Sequence, residues 1–240
     1  MLEIETTLDI IRLVVGAGIL GYASYTDIKT RMASNYLWVI MGITGAVLLA
    51  IQYFTTSFEN QNPMYLIFIP IMIGLMYLFF QLRLIFGGAD AKALMAIAIL
   101  VPFSPFIINY PLWPSVMPFP WAILANSVLI FLFIPLTLFI FNATKKNIEF
   151  PYCVLGYKMS VSKAYEKFVW PLEKIVDGKR KFIYVPTDFD IEDELAEFEK
   201  AKIDKIWVTP KIPFMIPLFV GFILSFILGD VMTHIMNLII

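Results

Sequence analysis

The sequence predicts an all-α polytopic membrane protein: six transmembrane helices, with a small α+β cytoplasmic domain between helices five and six. Three observations carry this reading. The 240-residue chain is 60% hydrophobic with a mean hydropathy of +0.79. Only 15% of it is charged, where a soluble domain carries about 25%. Six apolar runs reach the roughly 20 residues that a bilayer crossing needs.

The runs lie near 8–26, 36–54, 64–82, 91–109, 121–141 and 212–229. They divide the chain into 1–141 with five spans, 142–211 as the cytoplasmic domain, and 212–240 with the sixth span and a C-terminal tail. The first run is preceded by Glu3 and Glu5. Acid there is the wrong sign for a secretory signal, so the run reads as a retained span.

Lysine and arginine orient the spans. Lys29 and Arg31 follow span one, Arg83 follows span three, and Lys92 opens span four. The 142–211 segment holds all the others except Arg12. The connections near 55–63 and 103–120 hold none. The basic side is cytoplasmic by the positive-inside rule, which leaves both termini outside a plasma-membrane protein. Arg12, on the first turns of span one, is expected to snorkel outward.

The outer connection at 102–120 is proline-rich and carries Trp113, with Trp121 just beyond. Proline fixes φ and removes donors, so the loop is irregular and its tryptophans sit at the interface. A binding role for this loop is a second reading beside plain connection. Small residues recur at close spacing: Ala17 with Gly21, Gly42 with Ala46, and Ala91, Ala93, Ala96 and Ala98. Such faces let helices approach closely in lipid, and they allow spans one and four to come near each other.

Residues 145–181 carry nine basic and four acidic side chains, whereas 188–199 carry seven acids and no base. The basic half suits anionic lipid headgroups, an acidic partner or an ordinary solvated surface. Thr187 or Asp188 is positioned to cap a helix with Ile191, Leu195 and Phe198 on its apolar face. Lys181 to Pro186 reads as a short strand, paired with Tyr152 to Val154.

Composition excludes several chemistries. One cysteine, Cys153, rules out an internal disulfide and a CxxC zinc site. With a single histidine, His234, a Ser-His-Asp triad or a histidine-rich metal site is not expected, and neither is a cofactor. The net charge of -1 gives no reason to expect nucleic acid.

Three acids stand against apolar runs: Asp27, Asp90 and Asp230. Ionisable groups at such boundaries are functional candidates. Asp230 falls at the outer end of span six and reads as an interfacial cap with its charge in headgroup water. His234, beside it, reads the same way. Asp27 and Asp90 coincide in depth at the cytoplasmic edge. Two carboxylates close together cannot both ionise cheaply, so they share a proton. One can then take a proton from water while the other hydrogen-bonds a scissile carbonyl. Gly87 and Gly88, just before Asp90, permit a tight backbone and close approach of a substrate.

The stretches Asp27-Ile-Lys-Thr-Arg-Met-Ala-Ser-Asn35 and Gly87-Gly88-Ala89-Asp90-Ala-Lys92 resemble the archaeal preflagellin peptidase branch of the type IV prepilin peptidases, which are GxGD-type aspartic proteases. Position 89, where that pattern has glycine, is alanine here. The resemblance covers nearly the whole chain. It implies an aspartic endopeptidase with Asp27 and Asp90 as its catalytic pair. The implied substrates are preflagellin or type IV pilin-like precursors, whose short basic leader is removed ahead of a hydrophobic helix. Its bacterial relatives with a four-cysteine domain and methyltransferase activity do not match a chain with one cysteine.

Two other classes compete. Carboxylates at a membrane boundary also serve ion- or proton-coupled transporters. Those usually place acids near the midplane and show internal repeats, whereas spans two, three and five contain no acid. A plain membrane anchor for 142–211 leaves the paired aspartates without a role.

Overall fold

The computed structural model describes residues 2–82, 87–115, 117–176, 178–183 and 191–239. In chain order the elements are α1 (Leu2–Thr30), α2 (Asn35–Thr56), a 3-10 turn (Pro63–Ile67), α3 (Phe68–Gln81), α4 (Gly88–Leu100), α5 (Phe119–Thr144), α6 (Tyr152–Leu155), β1 (Tyr157–Ser160), α7 (Val161–Ala164), β2 (Val169–Pro171), β3 (Glu173–Val176), β4 (Lys179–Phe182), α8 (Glu192–Lys200), β5 (Lys205–Pro210), α9 (Met215–Ile227) and α10 (Val231–Ile239). Among the described residues, three helical stretches are long and apolar enough to cross a membrane: Asn35–Thr56, Pro63–Gln81 and Phe119–Thr144. Met215–Ile227 is a shorter apolar helix.

The chain forms two compact units, one from Met1–Phe131 with Pro213–Ile240 and the other from Leu132–Ile212. In the first unit α4 packs most extensively on α2 and also on α3, while α1 lies against α9 and α2 and meets α4 over a shorter stretch. Met41, Met72, Met76, Leu94, Ile97 and Phe222 are fully enclosed there. Gly45 sets the α2–α4 spacing, because a Cβ on it would come within 2.6 Å of the Leu100 Cα. That is a small-residue helix contact of the kind the alanine pattern of α4 anticipates.

The fourth span, expected over 91–109, is helical only to Leu100. Val101 precedes Pro102, and the residue before a proline is pushed out of helical geometry. Arg12 does not snorkel. It is 1% exposed, and its guanidinium donates to Asp9 Oδ1 and Gln52 Oε1, both at 2.8 Å. The partner on α2 holds it inside the helix packing, so it has no need of the headgroups. Asp230 is also fully buried. It caps α10, accepting from the Thr233 N–H at 3.0 Å and the Thr233 hydroxyl at 2.6 Å, so its charge is met by protein donors and not by headgroup water. The ring of His234 stacks on Trp113, with centroids 3.9 Å apart and planes 5° from parallel.

The second unit is a small α+β fold. β1, β5 and β2 form an antiparallel sheet in that order, with Tyr157 opposite Val208 and Val169 opposite Pro210. β3 and β4 form a hairpin. Leu195 and Phe198 of α8 close the core over Met159, Val169, Ile206 and Val208, as the spacing of apolar residues in that helix anticipates. The expected pairing of 181–186 with 152–154 is not formed. Residues 152–155 are helical, and Lys179–Phe182 pairs with Glu173–Val176 instead, because a tight turn at Gly178, with φ +72°, folds the chain back locally. Residues 184–186 and the candidate caps Thr187 and Asp188 lie outside the described residues, as do Arg83 and Phe86. The described helix begins at Glu192, after Ile191. Cys153 is a buried free thiol beside Leu172 and Trp207.

Glu149 ties this unit's edge together. It accepts from Lys158 and, at 3.1 Å, from the Trp207 indole N–H. These donors hold the Glu149 carboxyl below its ordinary value. Arg180 of β4 pairs with Glu173 of β3 across the hairpin.

Candidate active site

Asp27 lies in the last turn of α1 and Asp90 in the first turn of α4. The two helices end and begin on the same side, and the Asp27 charge lies near enough to act on Asp90. Among the described residues no hydrogen bond joins the two carboxylates. Both are half-buried.

The two helix ends treat a carboxylate differently. The backbone dipole of α4 favours an anion at its first turn, while that of α1 disfavours one at its last. Arg31 offsets this at Asp27, because its cation acts on that carboxylate. It stands just past α1 with φ +57°, a left-handed turn of the kind that ends many helices.

Gly87 is the residue on which α4 begins, with the Asp90 N–H donating to its carbonyl at 3.1 Å. The Asp90 carboxylate folds back over Gly87, and a Cβ there would fall on Asp90 Oδ2. Glycine therefore leaves room for this placement of the carboxylate. Gly88 faces Phe80, with 3.2 Å between a built Cβ and the ring. Ala89 is already inside α4 and packs on the core. A helical position has no use for the conformational freedom of glycine.

Beyond the aspartates, Lys92 Nζ donates to Asn35 Oδ1 at 2.8 Å. Asn35 is the first residue of α2 and Lys92 stands two residues past Asp90. The ends of the two sequence stretches that carry the aspartates are thus bonded to each other. Reading the sequence missed this pair, and the only signal for it is that each residue closes one of those stretches. A groove of about 410 Å³ runs from them between α2 and α4, lined by Trp38, Gly42, Met95 and Ile99. Among the described residues no three His, Cys, Asp or Glu side chains come together in a metal-binding group.

What this arrangement can do is general acid–base chemistry on a polar bond presented between two helix ends. One carboxylate accepts a proton while the other donates one.

Comparison with known proteins gives a consistent picture. The model of the Type IV leader peptidase family matches residues 14–144. That of the Archaeal Peptidase A24 C-terminus Type II matches residues 148–231. The chain is 30% identical over 237 residues to a preflagellin peptidase of Methanocaldococcus jannaschii, covering 92% of this chain and 94% of the relative. It is 30% identical over 235 residues to one of Methanococcus voltae, covering 89% and 94%. A preflagellin peptidase of Methanococcus maripaludis is 28% identical over 239 residues, covering 92% and 96%.

Proposed function

Since this chain belongs to the type IV leader peptidase family and is a peptidase of the aspartic type, we propose that it removes the short basic leader from preflagellin or type IV pilin-like precursors, with Asp27 and Asp90 as its catalytic pair. The observation that carries the assignment is the nearness of the Asp27 charge, in the last turn of α1, to Asp90 in the first turn of α4. The names of the relatives supply the substrate.

The chemistry follows from the pair. Once drawn together, carboxylates in one another's field titrate as a unit, so the pair around the substrate holds one proton between them. The ionised carboxylate takes a proton from a water, whose oxygen forms a bond to the scissile carbonyl carbon. The protonated carboxylate hydrogen-bonds the carbonyl oxygen as it gains negative charge. When the tetrahedral intermediate collapses, the C–N bond breaks. The departing nitrogen takes up a proton from the pair, leaving a new carboxylate and a new amine. Neither aspartate is assigned singly to acid or base.

In this reading the pair is open before substrate binds. A substrate strand entering between the two helix ends displaces water and draws the carboxylates around the bond. A six-span arrangement would put the pair at the cytoplasmic membrane edge, where a basic leader would lie. The bias of Lys and Arg toward that side supports this topology.

The test is cleavage of a preflagellin precursor in membranes carrying single and double substitutions. Asp27→Asn or Asp90→Asn alone is expected to lower the rate by about 10²–10⁴-fold. The double change should cost no more, since the two act as one unit. Near-normal processing by either single variant would refute the pairing.

A further inference from the structure

α2 is a 22-residue apolar helix, long enough to cross a bilayer, and Asn35 is its first residue. The end of such a helix lies at the depth of the lipid headgroups. Lys92 is tied to that end, because its Nζ donates to Asn35 Oδ1 at 2.8 Å. Its ammonium is therefore held at headgroup depth too. The side chain is exposed, and among the described residues no carboxylate forms an ion pair with it. The Asn35 oxygen is neutral. It occupies one of the three N–H groups and leaves the charge unmatched.

The groove of about 410 Å³ begins at this pair. Val39 and Gly42 of α2 and Met95, Ala96 and Ile99 of α4 continue it. These positions follow Asn35 and Lys92 at steps of three or four residues, so each helix contributes a single face. From Asn35 to Gly42 the groove descends about 10 Å along the helix, into the depth of acyl chains. Small residues give it room. Ala96 is buried. A Cβ on Gly42 would meet Ile99 Cδ1 at 3.8 Å, so a longer side chain there would take up the space.

Within a bilayer the apolar lining selects little by itself, since acyl chains are as apolar as the helix face they meet. The ammonium at the mouth does select, because an ionised phosphate forms a charge-assisted hydrogen bond with it. We propose that the groove between α2 and α4 is a site for an anionic phospholipid. One acyl chain lies along Val39, Gly42, Met95 and Ile99, and the headgroup phosphate accepts from Lys92 Nζ. The apolar helix of a precursor fits this groove less well, because a basic leader ahead of it would meet Lys92 with like charge. The site depends neither on the roles of Asp27 and Asp90 nor on the total number of spans.

The probe is an equimolar mixture of dioleoylphosphatidylglycerol and dioleoylphosphatidylcholine, added to the purified full-length chain in a neutral detergent. Native mass spectrometry reads the lipid that stays bound. The first lipid retained is expected to be phosphatidylglycerol over phosphatidylcholine by about fivefold, the worth of one lysine near an anionic surface. Lys92→Met should bring the ratio near one, while Lys92→Arg, which still binds phosphate, should keep it. Lys145→Met removes a cation just past α5 and should leave the ratio unchanged. Gly42→Leu should fill the groove and lower retention severalfold. Lys92 is exposed, so its variants carry the test even where Gly42→Leu does not fold. Equal retention of the two lipids, or a preference that survives Lys92→Met, would overturn the proposal. So would an equal loss of preference in Lys145→Met, or unchanged retention in a folded Gly42→Leu. Displacement of the lipid by a peptide carrying a precursor's apolar helix would overturn it as well, and would make the groove a substrate seat.

Discussion

Lys92 and Asn35 are bonded at 2.8 Å, joining the second turn of α4 to the first residue of α2. At the far end of the same helix pair, Gly45 lets α2 lie against the backbone of Leu100. α4 is therefore fixed to α2 at two points, one close contact and one polar bond, with Asp90 beside the bond. α1 also packs on α2, so α2 is the common support through which Asp27 and Asp90 are placed.

Lys92→Met and Asn35→Ala should each release the aspartate end of α4 while the Gly45 contact holds. Misplacement of a catalytic group by about 1 Å can cost about 10²-fold. The bond is exposed, so a loss of roughly tenfold in kcat is expected, with KM little changed. Lys92→Arg should recover part of it. The measurement is steady-state cleavage of a precursor peptide; an equal loss in Lys92→Arg and Lys92→Met would argue against a positioning role.

Gly87→Ala tests the space behind Asp90. The new methyl would occupy the place of Asp90 Oδ2 and turn the carboxylate out of its present position. Alanine is tolerated by the extended backbone here, with φ -88°, so the protein should still accumulate in membranes. Cleavage should fall by about tenfold or more. Comparison of expression level with processing rate separates this from a folding defect.

Arg12→Met should be strongly destabilising. It leaves Asp9 buried without its cation, and breaking a buried pair by removing one partner costs about 3–5 kcal/mol. Adding Asp9→Asn should recover much of the loss, because the stranded charge is then gone. Denaturation of the detergent-solubilised variants checks this; a double variant as weak as Arg12→Met would show that packing, and not the stranded carboxylate, dominates.

The second unit should carry a pH signature from Glu149. Lys158 and Trp207 depress its carboxyl in the folded state. A group lowered on folding contributes stability above its unfolded value and loses that contribution as pH falls through the folded one. Stability should therefore decline on acidification below the ordinary glutamate range, and Glu149→Gln should flatten that part of the profile. The effect is small because the group is largely exposed. Thermal melts of both proteins across acidic pH would reveal it.

Parts of this protein are legible in sequence because they depend on local periodicity. α2, α3, α5 and the amphipathic α8 follow from runs of apolar residues that no tertiary contact overrides. α4 is shorter than its apolar run because hydropathy continues past Pro102 while helix geometry does not. The strand at 181–182 is visible, but its partner is not, since any nearby extended segment satisfies the same pattern.

The sequence by itself determined the membrane character, the family, the small polar insert and the two candidate aspartates. All of these rest on composition, on short motifs or on spacing along one helix. Tertiary structure alone decided which distant residues meet. Arg12 read singly is a cation seeking the interface; with Gln52 beside it, it becomes a buried structural pair. Glu5 read singly is an acid before a span; in the fold it is buried and accepts a hydrogen bond from Asn60, 55 residues away. Lys92 and Asn35 are unremarkable until packing of α2 on α4 brings them together. A side chain's charge is written in the sequence, but the solvation and partners that set its role come from residues far along the chain.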